Sequence, residues 1–114
     1  MNFSADETVL ALGEALANDP AFPDDWATIV AVFKVQPGTI GSWAEYTDAD
    51  GIIQDVWLEG DEIGIIAQRL HVLTQVENKA PWVACRVTIE REGMKLNIQF
   101  EYNDEKKWDT PLPF

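Results

Sequence analysis

Apolar residues recur at helical spacing in two segments of the chain and at strand spacing in five others. Val9, Leu12 and Leu16, with Ala5 and Ala15, lie on one face of a helix. Ser4 and Glu7 precede that stripe at capping-box spacing, so hydroxyl and carboxylate would each satisfy a backbone N–H. Asn18-Asp19-Pro20 stops the helix. From Trp26 to Val35 the chain is β-branched and nearly continuously apolar, the mark of a central strand buried on both faces. Gln36-Pro37-Gly38 has the proline and glycine positions of a type II turn. A second strand is expected over Trp43–Thr47. Asp50-Gly51 is a strong hairpin signal, and Ile52–Leu58 returns as a third strand.

Gly60-Asp61-Glu62 opens a second helix with acids in its first turn, where the helix dipole favours them. Ile63, Ile66, Leu70, Leu73 and Val76 form its expected buried stripe, and Asn78 to Pro81 ends it. Val83, Cys85, Val87 and Ile89 then alternate with Ala84, Arg86, Thr88 and Glu90. After a turn at Arg91-Glu92-Gly93, Leu96, Ile98, Phe100 and Tyr102 alternate with Lys95, Asn97, Gln99 and Glu101. That is a hairpin with one apolar and one polar face. The order α-β-β-β-α-β-β, dominated by hairpin connections, predicts an α+β fold. It would be a mainly antiparallel sheet of about five strands with two helices packed on one face. The tail from Asn103 to Phe114 reads as irregular.

Length and composition agree with one ordinary globular domain spanning residues 1–114. Cys85 is the single cysteine, which fits a reducing compartment. Residues 1–7 show neither a basic region nor a long apolar run, and no stretch approaches the roughly 20 apolar residues of a membrane span. A cytoplasmic location is expected.

Charge changes the picture most. Twenty acidic residues against eight basic ones give a formal net charge of −12. Such a field repels nucleic acid and membranes and attracts basic partners. Between Lys34 and Arg69 there is no Lys or Arg at all. That window holds Glu45, Asp48, Asp50, Asp55, Glu59, Asp61 and Glu62. Solubility alone can account for acidity. Concentrated in one window, it also reads as a docking surface.

Catalytic and metal chemistry find little footing. Cys85 sits on the apolar phase of a strand, as an inert core thiol does, and His71 is the only histidine. One Cys and one His cannot build a zinc site of the usual kind. Asp48-x-Asp50-Gly51 resembles the start of a calcium loop. Setting Gly51 at the invariant glycine places Tyr46 at the first ligand and Trp57 at the twelfth, where Glu is needed. The match fails. No Gly-rich phosphate loop is present, and no cofactor is expected.

Five tryptophans remain. Trp26, Trp57 and Trp82 stand at element ends, where a ring commonly seals a core. Trp43 and Trp108 flank a turn and the tail and are the candidates for exposure. An exposed tryptophan beside acids has the composition of an interface hot spot.

The C-terminal half adds a resemblance. Pro81-Trp82, an alternating strand, a turn at Gly93 and the run Met94-Lys95-Leu96-Asn97-Ile98-Gln99-Phe100-Glu101-Tyr102-Asn103-Asp104 resemble the end of the YezG-like immunity proteins. Asp25-Trp26 and the order of elements extend the likeness in pattern. The acid-only window and the tail from Trp108 to Phe114 are not matched. The resemblance implies an antitoxin with no catalytic residues, which binds a cognate toxin, often a nuclease, in the cytoplasm. Trp43, Glu45, Asp48, Asp50, Asp55, Glu59, Asp61, Glu62 and Trp108 are the expected partner-binding residues. The alternative is a non-catalytic adaptor that holds a small molecule or peptide in a tryptophan-lined pocket between sheet and helices.

Overall fold

A computed structural model describes residues 5–36, 39–75 and 81–103. Within them the elements follow the predicted order: α1 (Ala5–Ala17), β1 (Thr28–Gln36), β2 (Thr39–Thr47), β3 (Ile53–Val56), α2 (Asp61–Leu73), β4 (Ala84–Glu90) and β5 (Lys95–Glu101). The strands form one antiparallel sheet in the spatial order β3-β2-β1-β4-β5. Two hairpin steps carry the chain outward from β1 to β3. Helix α2 then returns it to the other side of β1, where the last hairpin adds. Strand β1 is thus central, which is why its sequence is almost wholly apolar.

Register sorts the side chains by face. Ile29, Ala31 and Phe33 of β1 lie opposite Ile89, Val87 and Cys85 of β4, and Ala44 and Tyr46 of β2 complete the row. These residues join Leu12 and Leu16 of α1 and Ile63, Ala67 and Leu70 of α2 in one buried cluster, so both helices cover the same face. Helix α1 comes close to β5 at Gly13, where an added Cβ would stand 3.2 Å from the Leu96 side chain. On the opposite face Val32 is still only 1% exposed, flanked across the strands by Trp43 and Arg86.

Several boundaries differ from the sequence expectation. Strand β2 begins at Thr39, four residues early, because β1 offers a full-length partner as far as Gln36. Strand β3 is limited to Ile53–Val56, because the chain must leave the sheet to enter α2. In α2 the buried stripe is Ile63, Ala67 and Leu70, whereas Leu73 is exposed on the last turn. Ser4, Pro37-Gly38, Val76 and residues 78–80 lie outside the described residues, and with them the expected capping box and type II turn.

The C-terminal end of α2 is tied to β4 by three polar groups. Trp82, almost fully buried, donates its indole N–H to Thr74 Oγ1 at 2.7 Å, and Thr74 Oγ1 donates to the Leu70 carbonyl at 2.7 Å. His71 Nε2 lies 3.0 Å from the Trp82 carbonyl, which can only accept, so Nε2 carries the proton. Its ring also stands edge-on to Trp82, centroids 4.6 Å apart. The single histidine is a packing residue.

The N-terminus of α2 is held differently. Its N-cap, Gly60, has no side chain to cap with. Asp19, in the loop after α1, supplies the carboxylate from 40 residues away. It accepts from Glu59 N–H at 3.2 Å, from Gly60 N–H at 2.9 Å and from its own neighbour Ala21 N–H at 2.9 Å. Gly60 suits this approach, since a Cβ there would lie 3.2 Å from Asp19 Oδ2. Asp19 is 4% exposed. Losing it strands three amides, so Asp19→Ala should cost about 2–3 kcal/mol in urea unfolding. Asp19→Asn, which keeps one acceptor oxygen, should fall between that variant and the parent.

Candidate protein-docking surface

The acid-only window runs from β2 through β3 to the first turn of α2, and the fold gathers it along one edge of the sheet. Strand β3 is that edge, paired to β2 alone. Glu45 and Asp55 project on the face that the helices leave uncovered. Glu59 and Glu62 are exposed at the entry to α2, on the helix side. The side chain of Asp61 and the whole of Trp108 lie outside the described residues.

At the tip between β2 and β3, Asp48 and Asp50 have different tasks. Asp48 Oδ1 accepts from Asp50 N–H at 2.9 Å and Ile52 N–H at 3.0 Å. Gly51 N–H bonds the Asp48 carbonyl at 3.0 Å, and Asp48 N–H bonds the Ile52 carbonyl at 3.0 Å. With Gly51 at φ +83°, this is the bonding of a three-residue hairpin closed by a glycine bulge. Asp48 therefore builds the turn, and Asp50 is the carboxylate exposed at the tip.

The turn also fixes the phase of the ladder. Hydrogen-bonded and non-hydrogen-bonded pairs alternate in an antiparallel ribbon. Counting from the Asp48–Ile52 bond, Tyr46–Gln54 and Ala44–Val56 are bonded pairs, and Thr47–Ile53 and Glu45–Asp55 are not. Side chains of a non-bonded pair stand closest, so two carboxylates face each other across β2 and β3. Partial burial, and secondly the charge of Asp55, hold the Glu45 carboxyl above its ordinary pKa.

The tryptophans are sorted differently from the sequence expectation. Trp26 and Trp82 are buried as expected. Trp57, expected to seal the core, is 86% exposed. It stands just past the end of β3, on the phase of Ile53 and Asp55 that faces away from the helices. Earlier in the same stretch Ile52 and Ile53 are 53% and 62% exposed, Ile53 on the phase of Trp57 and Ile52 on the other. Trp43, expected to be exposed, is half-buried, and its indole N–H is buried without a hydrogen-bond partner among the described residues. A buried orphan donor of this kind costs about 1–3 kcal/mol.

Sequence reasoning missed Trp57, Ile52 and Ile53. The signal was weak because Ile52, Gln54, Val56 and Leu58 form one phase and Ile53, Asp55 and Trp57 the other, and both mix apolar with polar. Burial in β3 follows from which face α2 covers, and strand alternation does not carry that information.

Other chemistry is sparsely provided. Burial pushes the Cys85 thiol up to about 12, so no thiolate nucleophile forms at neutral pH. Among the described residues no three His, Cys, Asp or Glu side chains converge as metal ligands. No described helix is long and apolar enough to cross a membrane. A cleft of about 700 Å³ opens at the end of the sheet, lined by Trp26, Thr28, Ala49, Arg91 and Lys95 among others. Its one tryptophan is stacked under the Arg91 guanidinium, 4.3 Å from the ring centroid, and the cleft does not lie between sheet and helices. On the uncovered face Arg86 bonds the Gln99 side chain across β4 and β5.

Two outcomes follow. An acid whose pKa is raised in the folded state costs stability above that pKa, and the cost fades as pH falls to the ordinary carboxylate value. Glu45→Gln should therefore raise stability at pH 7 by about 0.2–1 kcal/mol, the scale of a like-charge cross-strand pair. In unfolding curves the gain should vanish as pH drops below roughly 4. Cys85 should resist iodoacetamide in the folded protein and alkylate readily in denaturant, as read by mass spectrometry. No protein-family model and no curated protein matches this chain, so its surface is read from its own residues.

Proposed function

We propose that this protein is an immunity protein: a non-catalytic, cytoplasmic binder that docks on a basic toxin domain, of the nuclease class, and occludes it. The observation that carries the reading is Trp57, 86% exposed, in a stretch of chain that holds seven acids and no cation. A large exposed ring, with Ile53 exposed on the same phase of the edge strand, leaves apolar surface for a partner to cover. An exposed tryptophan with a rim of acids before and after it in the chain has the make-up of an interface hot spot. The rim selects the partner's sign. A nuclease carries a basic groove because phosphate contacts dominate its affinity, and carboxylates can occupy that groove in place of phosphates. Opposite charge also speeds association, which an antidote to a fast-acting toxin requires. The resemblance of residues 81–104 to the YezG-like immunity proteins points the same way.

The test is co-expression with a basic toxin encoded beside this chain, followed by association kinetics of the purified pair at low and high salt. Growth arrest should be relieved, and association should slow as salt rises, since exposed charges are screened within roughly 8–10 Å. Asp50→Lys with Asp55→Lys should slow association about tenfold and flatten the salt dependence. Asp48 is not the position to reverse, because its carboxylate builds the hairpin turn. Arrest that persists beside folded protein overturns the immunity reading. Relief that ignores both salt and the charge reversal moves the interface to the polar face of the last hairpin (Arg86, Thr88, Lys95, Asn97, Gln99).

A further inference from the structure

The geometry points to a specific mode of docking at this surface: strand β3 accepts an extended, basic segment of the partner as a sixth strand, with Trp57 and Ile53 as its side-chain anchors. The inference rests on the proposed binding role and adds how the partner is held.

The phase of the ladder supplies the first argument. Gln54 and Val56 spend their backbone groups on β2, so the N–H and C=O of Ile53 and Asp55 point away from it, toward the free edge. An edge of this kind is a template for another strand. Natural edges are blunted by lysine, proline or inward charge. Strand β3 reads Ile-Gln-Asp-Val, with neither lysine nor proline, and its exposed residues include Ile53. The opposite edge, β5, begins with an exposed Lys95 and presents Asn97 and Gln99. Of the two edges, β3 is blunted only by its four-residue length and by the acid Asp55, which a basic strand does not oppose.

Charge decides the occupant. A second copy of this chain would set Asp50, Asp55 and Glu59 of one edge against the same acids of the other, and like charges opposed across strands repel. A segment carrying lysine or arginine at alternate positions meets Glu45 and Asp55 on the uncovered face. On that same face its lysine stems lie along Ile53 and reach the Trp57 ring, while its alternate apolar positions pack beside Val56 on the helix side. Because β3 is only four residues long, backbone bonds alone give little affinity, and the anchoring falls to Trp57 and Ile53.

Amide exchange by NMR on the full chain, with a short synthetic peptide alternating lysine and valine as probe, tests this directly. Exchange should slow at Ile53 and Asp55 while Gln54 and Val56, already bonded to β2, stay unchanged. The Trp57 indole N–H resonance should shift. A glutamate–valine peptide should do none of this. Trp57→Ala should weaken the lysine peptide about thirty-fold, the loss typical of a hot spot. Asp55→Pro should abolish protection at Ile53, since it removes an outward N–H and no ladder bond. Should that variant misfold, the alternating protection pattern in the parent protein still decides. Absence of slowed exchange, or slowing confined to β5 or to the uncovered face, overturns strand addition. Relief of toxin arrest that survives both Trp57→Ala and Asp55→Pro would leave the immunity role standing and remove this mode of docking.

Discussion

The carboxylate of Asp19 is the contact on which the arrangement of this molecule turns. It joins the loop after α1 to the backbone amides of Glu59 and Gly60, at the entry to α2. A backbone amide left unpaired in a buried setting is costly. The clamp removes that cost and also fixes where the chain must go after β3. Held at Glu59 and Gly60, the strand cannot run on to Leu58 as its sequence would allow. It leaves the sheet after Val56. Trp57, on the phase of Ile53 and Asp55 that faces away from the helices, is the most exposed large ring among the described residues.

A one-sided sheet explains the rest. Both helices lie on one face, so β1, β2 and β4 each carry a deeply apolar phase there, and the other face is left to Val30, Val32, Trp43, Glu45, Thr88 and Arg86. At the β3 end of the molecule several unfavourable local features coincide. Two carboxylates oppose each other at Glu45 and Asp55, the Trp43 indole N–H is buried without an acceptor among the described residues, and Trp57 and Ile53 stand in solvent. The opposed carboxylates work against folding by about 0.2–1 kcal/mol and the orphan donor by about 1–3 kcal/mol. Sequences that otherwise agree at every level concentrate such departures where they function. The opposite end shows the contrast. There His71 pairs with the Trp82 carbonyl and the Trp82 indole with Thr74.

Strand periodicity, helical spacing and the hairpin signals determined the element order, the antiparallel sheet and the one-sided helices, because each depends on which side chains share a face and not on distant contacts. The inert setting of Cys85 and the cation-free window were equally legible, being properties of neighbours in the chain. What tertiary structure decided was the fate of particular residues. Trp57 stands in solvent just past the end of β3, and Trp43 is half-buried although it lies on the face the helices leave uncovered. Asp48 and Asp50 look alike in the sequence, yet only the bonded turn separates the one that shapes the hairpin from the one that faces solvent. Which backbone groups of β3 remain free was decided in the same way, since the phase of a ladder is fixed by the turn that closes it.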